Sequence, residues 1–231
     1  MTVRMGLIKK KRDWTADAFQ SYWRDKHGPL AARTPSLREY WQNLVTDRVQ
    51  RGIDYPRGPW DFDGVSQLWF DDERSANYAF NTSELAAALI KDEQHFLGGL
   101  HIVTADQSVV IDVPDAPLRG SLLKRISTLK RRDDVTEADF RREWKVHADY
   151  VRKMPGVHGY RQNVIVGREL VKGESCEYGD LPIDGIVEMW FESTESLAAA
   201  FSSPAGQVTM NHAITFLAEI TALLVEERRV V

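Results

Sequence analysis

The chain has 231 residues and a formal net charge of -4, with 43% hydrophobic and 28% charged residues. This composition is typical of a folded soluble protein and excludes a disordered or fibrous chain. A slightly acidic chain has no basic field to hold a phosphate backbone, and no stretch approaches eighteen apolar residues. We therefore expect neither nucleic acid nor a membrane as a partner.

The first residues lack the apolar core of a signal peptide, and the chain has one cysteine, Cys176. A single cysteine cannot form an internal disulfide and fits a reducing compartment, so the expected location is cytoplasmic. Glu174 and Glu177 flank the thiol and are expected to raise its pKa, which indicates an unreactive cysteine.

The first half of the chain predicts the order β-α-β-β-α-β. Thr15 is placed to cap a helix that carries Phe19 and Trp23, and Gly28-Pro29 is expected to interrupt that helix. A loop rich in glycine, proline and charge separates the second and third strands. The predicted strands cover residues 3–8, 38–49, 65–70 and 101–112, and a second helix covers residues 84–97.

The second half predicts the same order again. Thr136 is placed to cap its first helix, and a second helix is expected to end by about Leu217. The predicted strands cover residues 122–129, 159–167, 186–191 and 222–230.

The two halves also match residue by residue, which indicates a tandem duplication. The offset between matched residues is 121, falls to 120 after the first helix, and returns to 121 near the third strand. Two prolines near residues 113–117 mark the join, so we expect domains over residues 1–116 and 117–231. The matched pairs include Trp23 with Trp144, His27 with His147, YWQN (40–43) with YRQN (160–163), and Trp69 with Trp190.

Each half therefore predicts a ferredoxin-like unit, with a four-stranded antiparallel sheet and two helices on one face. Alternation along the third strands places Gln67 beside Trp69, and Glu188 beside Trp190, on one face. Such a face is too apolar for water and too polar for an ordinary core, so it should meet the other sheet around a cavity. The predicted fold class is α+β, with two tandem units closing one eight-stranded barrel whose mouths bind a small ligand.

At these residues the chain resembles the EthD family of the dimeric α+β barrel superfamily. The resemblance rests on FQSYWRDKHGPL (19–30) and FDGVSQLWFDD (62–72), and it extends over both copies, although the second lacks Gly-Pro after His147. It implies a cofactor-independent pocket for small cyclic or aromatic compounds, as in relatives that isomerise methylmuconolactones or cyclise and dehydrate polyketides. Fusion of the copies implies a monomer with a pseudo-dimeric barrel, or a higher homo-oligomer.

His27 and Tyr40 are the leading catalytic candidates. Histidine can shuttle a proton near neutral pH, and tyrosine can donate to a developing enolate or phenolate oxygen. The pair thus suits proton abstraction next to a carbonyl. Alternatively, His27 only caps a helix end and bonds a carbonyl. Glu188 is the third candidate, because the neighbours Ile186 and Trp190 should raise its pKa toward neutrality.

The expected substrate-binding residues surround these three. Alternatively, Asp63 only makes an Asx turn, and Trp69 and Trp190 only pack in the hydrophobic core. The histidines lack the spacing of a metal site, and no Gly-rich phosphate loop or GxSxG motif occurs, so neither metal nor cofactor is expected. The predicted substrate-binding set is Asp63, Gln67, Trp69, His147, Tyr160 and Trp190.

Two functions fit these residues. The first is an isomerase or lyase of cyclase or dehydratase type that moves protons on a small cyclic, aromatic or lactone-type substrate. The second is a non-catalytic ligand-binding or accessory protein of a degradation pathway. Catalysis requires one pocket that holds both His27 and Tyr40, and a histidine packed outside the barrel would contradict the enzyme interpretation.

Overall fold

Eight antiparallel strands close into one barrel in the computed structural model, which describes residues 1–231. Their order is β4-β1-β3-β2-β9-β5-β8-β6, and pairing of β4 with β6 closes the ring, while a short β7 extends β6. The β2–β9 and β4–β6 pairs join the two copies, so the predicted intrachain barrel is confirmed. The strands are β1 (Thr2–Lys10), β2 (Glu39–Asp47), β3 (Gly64–Phe70), β4 (Leu97–Ile111), β5 (Leu123–Arg131), β6 (Gly159–Val171), β7 (Glu174–Ser175), β8 (Gly185–Phe191) and β9 (Leu217–Arg229).

The helices pack on the outside of the barrel. Their apolar residues form clusters with the outward side chains of each copy's sheet. No helix is both long and apolar enough to cross a membrane. The helices are α1 (Ala16–Tyr22), α2 (Gly28–Ala31), α3 (Glu73–Asn81), α4 (Glu84–Phe96), α5 (Glu137–Val151), α6 (Thr194–Ser202) and α7 (Pro204–Ala213), with a 3-10 turn over Leu118–Ser121.

A π-helical segment over Trp23–His27 connects α1 to α2. The backbone N–H of Gly28 bonds to the carbonyl of Trp23, five residues back, so the chain continues through Gly28-Pro29 and does not stop there. Pro29 lies in the first turn of α2, where its missing N–H is not needed. The second copy has an uninterrupted α5 instead, and its helix is one residue shorter at this point. The fall in the repeat offset therefore corresponds to the π segment.

The last strand begins earlier than predicted. α7 ends at Ala213, and β9 begins at Leu217. The sequence pattern, in contrast, predicts the strand only from residue 222. Thr215 and Phe216 close the helix with turn hydrogen bonds to His212 and Ala213, which frees the chain to extend immediately.

Alternate strand residues face the helices and the barrel interior. Trp41 and Val45 point inward and Tyr40 points outward, on opposite faces of β2. The two sheets meet as expected, but their facing side chains fill the interior as a core of 17 buried residues from both copies. The barrel centre is therefore packed and not the main ligand space.

Candidate functional site

Two cavities lie between the sheet and its covering helices, one in each copy. Their cavity volumes are small, about 40 and 50 Å³. The first is lined by His27 and Tyr40, and the second by His147 and Tyr160. The position expected for these residues, at the mouths of the barrel, is therefore wrong. His27 lies outside the barrel wall, the result that was expected to contradict the enzyme interpretation. That expectation placed the ligand inside the barrel, whereas core side chains fill the interior, so it does not apply to a cavity under the helices. His27 and Tyr40 do line one cavity, which was the other condition for catalysis.

In the first cavity, His27 is held by a carboxylate. Its Nδ1 lies 2.7 Å from an Oδ atom of Asp92, whose other oxygen accepts a 2.7 Å hydrogen bond from the Tyr22 hydroxyl. Burial raises the pKa of Asp92, but the hydrogen bonds from His27 and Tyr22 outweigh burial and lower it overall. The ionised carboxylate selects the tautomer with a proton on Nδ1, which leaves Nε2 as the free acceptor. The side chain of His27 therefore bonds a carboxylate and does not cap a helix end by bonding a carbonyl.

Tyr40 is the second polar group of the first cavity. It is 0% exposed as a residue, and its hydroxyl accepts a 3.1 Å hydrogen bond from Gln42, which also donates to the Trp23 carbonyl. Burial raises the pKa of Tyr40, so the hydroxyl stays protonated. Its hydrogen finds no acceptor in the protein and is available to a bound molecule.

Residues of the second copy close the first cavity. Arg4 forms a bidentate ion pair with Glu169 at 2.5 and 2.7 Å, and Glu93 accepts from Lys172 at 2.7 and 2.9 Å. Glu169 and Lys172 belong to the β6–β7 hairpin. Both copies thus build the cavity, although it does not lie at the barrel mouths.

The second cavity has the same framework and different chemistry. Where the first copy has Asp92, the second has His212, whose Nδ1 lies 3.1 Å from Nδ1 of His147. Burial, with a smaller contribution from His212, lowers the pKa of His147 to about 3. His147 is therefore neutral at physiological pH and lacks a carboxylate partner. Ala213 replaces Glu93, which makes the lining mostly apolar.

Glu188 lies inside the barrel, on the opposite face of the sheet from Tyr40 and His27. Its carboxylate oxygens lie 2.7 Å from Lys124 Nζ and 3.0 Å from Asn163 Nδ2. Burial raises the pKa of Glu188, but the charges of Lys124 and Arg161, together with hydrogen bonds from Lys124 and Asn163, outweigh burial and lower the pKa overall. The prediction of a raised pKa is wrong because the sequence pattern did not place Lys124 beside it.

The remaining strand candidates also point into the barrel. Gln67 accepts from Asn43 at 2.9 Å and from Lys124 at 3.1 Å. The indoles of Trp69 and Trp190 are buried. None of these residues lines either cavity, so the core interpretation of the two tryptophans fits their positions.

Asp63 has a structural contact set. It accepts from the backbone N–H of Lys10 at 2.9 Å and from Arg48 at 2.8 Å. It therefore ties the end of β1 to the loop after β2 and orients neither His27 nor Tyr40. The Asx-turn alternative does not describe these contacts either.

The sequence interpretation missed Asp92 and the arginines of the two cavities. Extending the repeat comparison at an offset of 120 pairs Asp92 with His212, and at 121 it pairs Arg4 with Arg125. A carboxylate opposite a histidine is the signal that distinguishes the copies. No group of three or more histidine, cysteine or acidic side chains has the arrangement to hold a metal ion.

Comparison with known proteins identifies the repeat unit. The EthD domain model matches residues 11–99 and again residues 132–219. No curated protein matches the chain significantly. An anthrone oxidase-like protein shares the fold with a TM-score of 0.66 at 7% identity, covering 99% of this chain and 92% of that one.

Two further solved structures are similar. A Lactobacillus acidophilus protein provisionally described as a monooxygenase has a TM-score of 0.59 at 7% identity, covering 100% of this chain and 94% of that one. An EthD family protein from Bacillus halodurans is 25% identical, covering 45% of this chain and 95% of that chain, with a TM-score of 0.36. The Lactobacillus acidophilus protein and the anthrone oxidase-like protein are each 7% identical to this chain, so their likeness shows the fold alone.

Proposed function

We propose that this chain, which belongs to the EthD family, is an isomerase or lyase that moves protons on a small cyclic, aromatic or lactone-type molecule. The reaction takes place in the cavity of the first copy and uses no metal or nucleotide cofactor. The observation that carries this proposal is that His27, whose Nδ1 is held by Asp92, lines the same cavity as Tyr40.

The first step is proton abstraction by Nε2 of His27 from a carbon next to a carbonyl group. Asp92 holds the opposite ring nitrogen, so the imidazolium that forms is stabilised by a carboxylate 2.7 Å away. The bonding electrons of the broken C–H bond move to the carbonyl oxygen. The Tyr40 hydroxyl donates a hydrogen bond to that developing negative charge and keeps its proton throughout.

The second step returns the proton and distinguishes the two reaction types. Delivery to a different carbon gives an isomer of unchanged mass. Delivery to a departing hydroxyl group gives water and an alkene. Both outcomes restore neutral His27, so the cycle is complete without an added reactant.

The second copy does not repeat this chemistry. Because burial holds the pKa of His147 to about 3 and its Nδ1 faces His212, no carboxylate contacts His147 to stabilise an imidazolium. The Glu143 carboxylate lies 3.5 Å from Nε2 of His212 and does not contact His147. This difference supports one catalytic copy and one supporting copy. The names of the oxygenase-like structural neighbours do not extend to this chain, since their likeness shows only the fold.

The proposal is tested by incubating the protein with metabolites of its own genomic neighbourhood and following products by mass spectrometry. An isomerase gives a product of unchanged mass, and a dehydratase gives loss of water. His27→Gln should abolish turnover, while the matched variant His147→Gln should retain it. Saturable binding without turnover of any metabolite would instead favour the ligand-binding alternative.

A further inference from the structure

Arg4 and Arg125 occupy equivalent positions in the two cavities. Each lies on the first strand of its copy, paired across the sheet with Leu68 or Met189. Each guanidinium also lies over a phenylalanine ring, at 4.9 Å from Phe80 in the first copy and 4.7 Å from the equivalent ring in the second. The same side chain is therefore presented to each cavity by the same local structure.

The two arginines differ in what neutralises them. Arg4 has both oxygens of Glu169, whereas Arg125 has no carboxylate within 4.0 Å. Arg125 donates from Nε to the Ser127 hydroxyl at 3.2 Å and from Nη1 to the Arg51 carbonyl at 3.1 Å. Its Nη2 makes no hydrogen bond. The first copy supplies a carbonyl group to the second cavity, while the second copy supplies a carboxylate to the first.

Arg125 is thus a buried cation without a counter-charge. The residue is 3% exposed, and burial lowers its pKa to about 10, so it remains charged at neutral pH. An unpaired buried charge is unfavourable and is stabilised strongly by a bidentate carboxylate. The rest of the lining offers no acid to fill that role.

We propose that the second cavity binds a small monocarboxylate with a compact apolar body, whose carboxylate pairs with Arg125. The carboxylate takes the position that Glu169 occupies in the first cavity. The proposal goes beyond the proton transfer assigned to the first copy, because it requires neither His27 nor turnover. The apolar body contacts Leu129, Met154, Val187, Met189, Met210 and Ile220.

The neutral state of His147 fits this assignment. A neutral imidazole next to the ligand adds no second charge, so a single negative charge on the ligand is balanced by Arg125 alone. The loop of the first copy that contributes the Arg51 carbonyl also contributes Ile53 to the lining. A ligand here would therefore contact both copies.

The test is isothermal titration calorimetry with benzoate and hexanoate, each compared with its uncharged amide, benzamide or hexanamide. The wild-type protein should bind one equivalent of acid at least tenfold more tightly than the matching amide. Arg125→Met should remove the preference for acid, while Arg4→Met, the same change at the equivalent position, should retain it.

Two results would overturn the proposal. One is equal affinity of the wild-type protein for acid and amide, which decides the question even if Arg125→Met does not fold. The other is an Arg125→Met protein that folds and still prefers the acid. Neither result bears on turnover by His27, so this proposal and the proposed function can fail separately.

Discussion

The Nδ1 atom of His27 lies 2.7 Å from a carboxylate oxygen of Asp92. The equivalent contact in the second copy joins two imidazole rings, at 3.1 Å between His147 and His212. One histidine is therefore held ready to accept a proton, and the other is held neutral. The copies share a fold and have diverged at this pair.

Asp92 acts through His27 as a positioning residue. Asp92→Asn should lower kcat by about 10²-fold, because the imidazolium loses its counter-charge, and should move the acidic limb of the pH–rate profile to lower pH. The matched control is His212→Asn, which should leave kcat unchanged. An Asp92→Asn protein with an unaltered profile would exclude the role.

Tyr40 and Tyr160 offer a second matched pair. Each hydroxyl accepts one hydrogen bond from a glutamine, Gln42 or Gln162, so Tyr→Phe at either position should cost about 1 kcal/mol of unfolding free energy. Only Tyr40→Phe should reduce turnover, by about 10-fold or more, since Tyr160 does not face the reacting molecule. Chemical denaturation and steady-state kinetics on both variants separate the two effects. Equal losses of activity would contradict the assignment.

His147 should make stability depend on pH. Its pKa is about 3 in the folded chain against an ordinary value of 6.5, so its contribution is fully present above pH 6.5 and is lost as pH falls toward 3. His147→Gln should therefore flatten the fall in unfolding free energy between pH 7 and 5, by about 2 kcal/mol. Urea unfolding at both pH values measures this. A variant with the wild-type slope would show that the histidine does not titrate this way.

Glu188 should matter for stability and not for turnover. Glu188→Gln removes one of the two carboxylate partners of the buried Lys124, which keeps Glu227 at 3.1 Å, and should lower the free energy of unfolding by about 2 kcal/mol while kcat stays unchanged. Because the pKa of Glu188 is lowered in the folded chain, its contribution should be lost as pH falls below about 4.5. Loss of turnover in a folded Glu188→Gln protein would return this residue to the catalytic set.

Glu169 offers a gain-of-function test of the carboxylate site. Glu169→Ala frees Arg4 to bind an added carboxylate, so the stoichiometry of benzoate binding should rise from one to two equivalents per chain. The increase should disappear in the double variant Arg4→Met with Glu169→Ala. A stoichiometry that stays at one in the single variant would show that the arginine alone does not make the site.

The fold was predictable because its signals are local and repeated. Alternation along β2 and β3, the Thr15 and Thr136 caps, and the paired Trp23 and Trp144 all recur in the second copy in the same order. The change in repeat offset even marked the extra residue of the π segment. Local patterns of this kind do not depend on distant contacts.

The site was predictable only in part. His27 and Tyr40 do line one cavity, but their side of the sheet was mispredicted, because both faces of each strand carry large apolar groups. In the pairing of β2 with β3, Tyr40 lies opposite Leu68. Its side chain therefore faces the helices, whereas Gln67 faces the barrel interior. Register depends on strand pairing across the fold, as does the contact between Glu188 and Lys124. Neither can be read from one strand.

The most direct test of His27 as the base follows deuterium incorporation next to the carbonyl of unsaturated γ-lactones and cyclic monoketones in D₂O, by proton NMR. Wild-type and His147→Gln proteins should catalyse the exchange on at least one of these probes, and His27→Gln should do so at least about 10²-fold more slowly. Exchange at the wild-type rate in folded His27→Gln would contradict the claim that this histidine is the base.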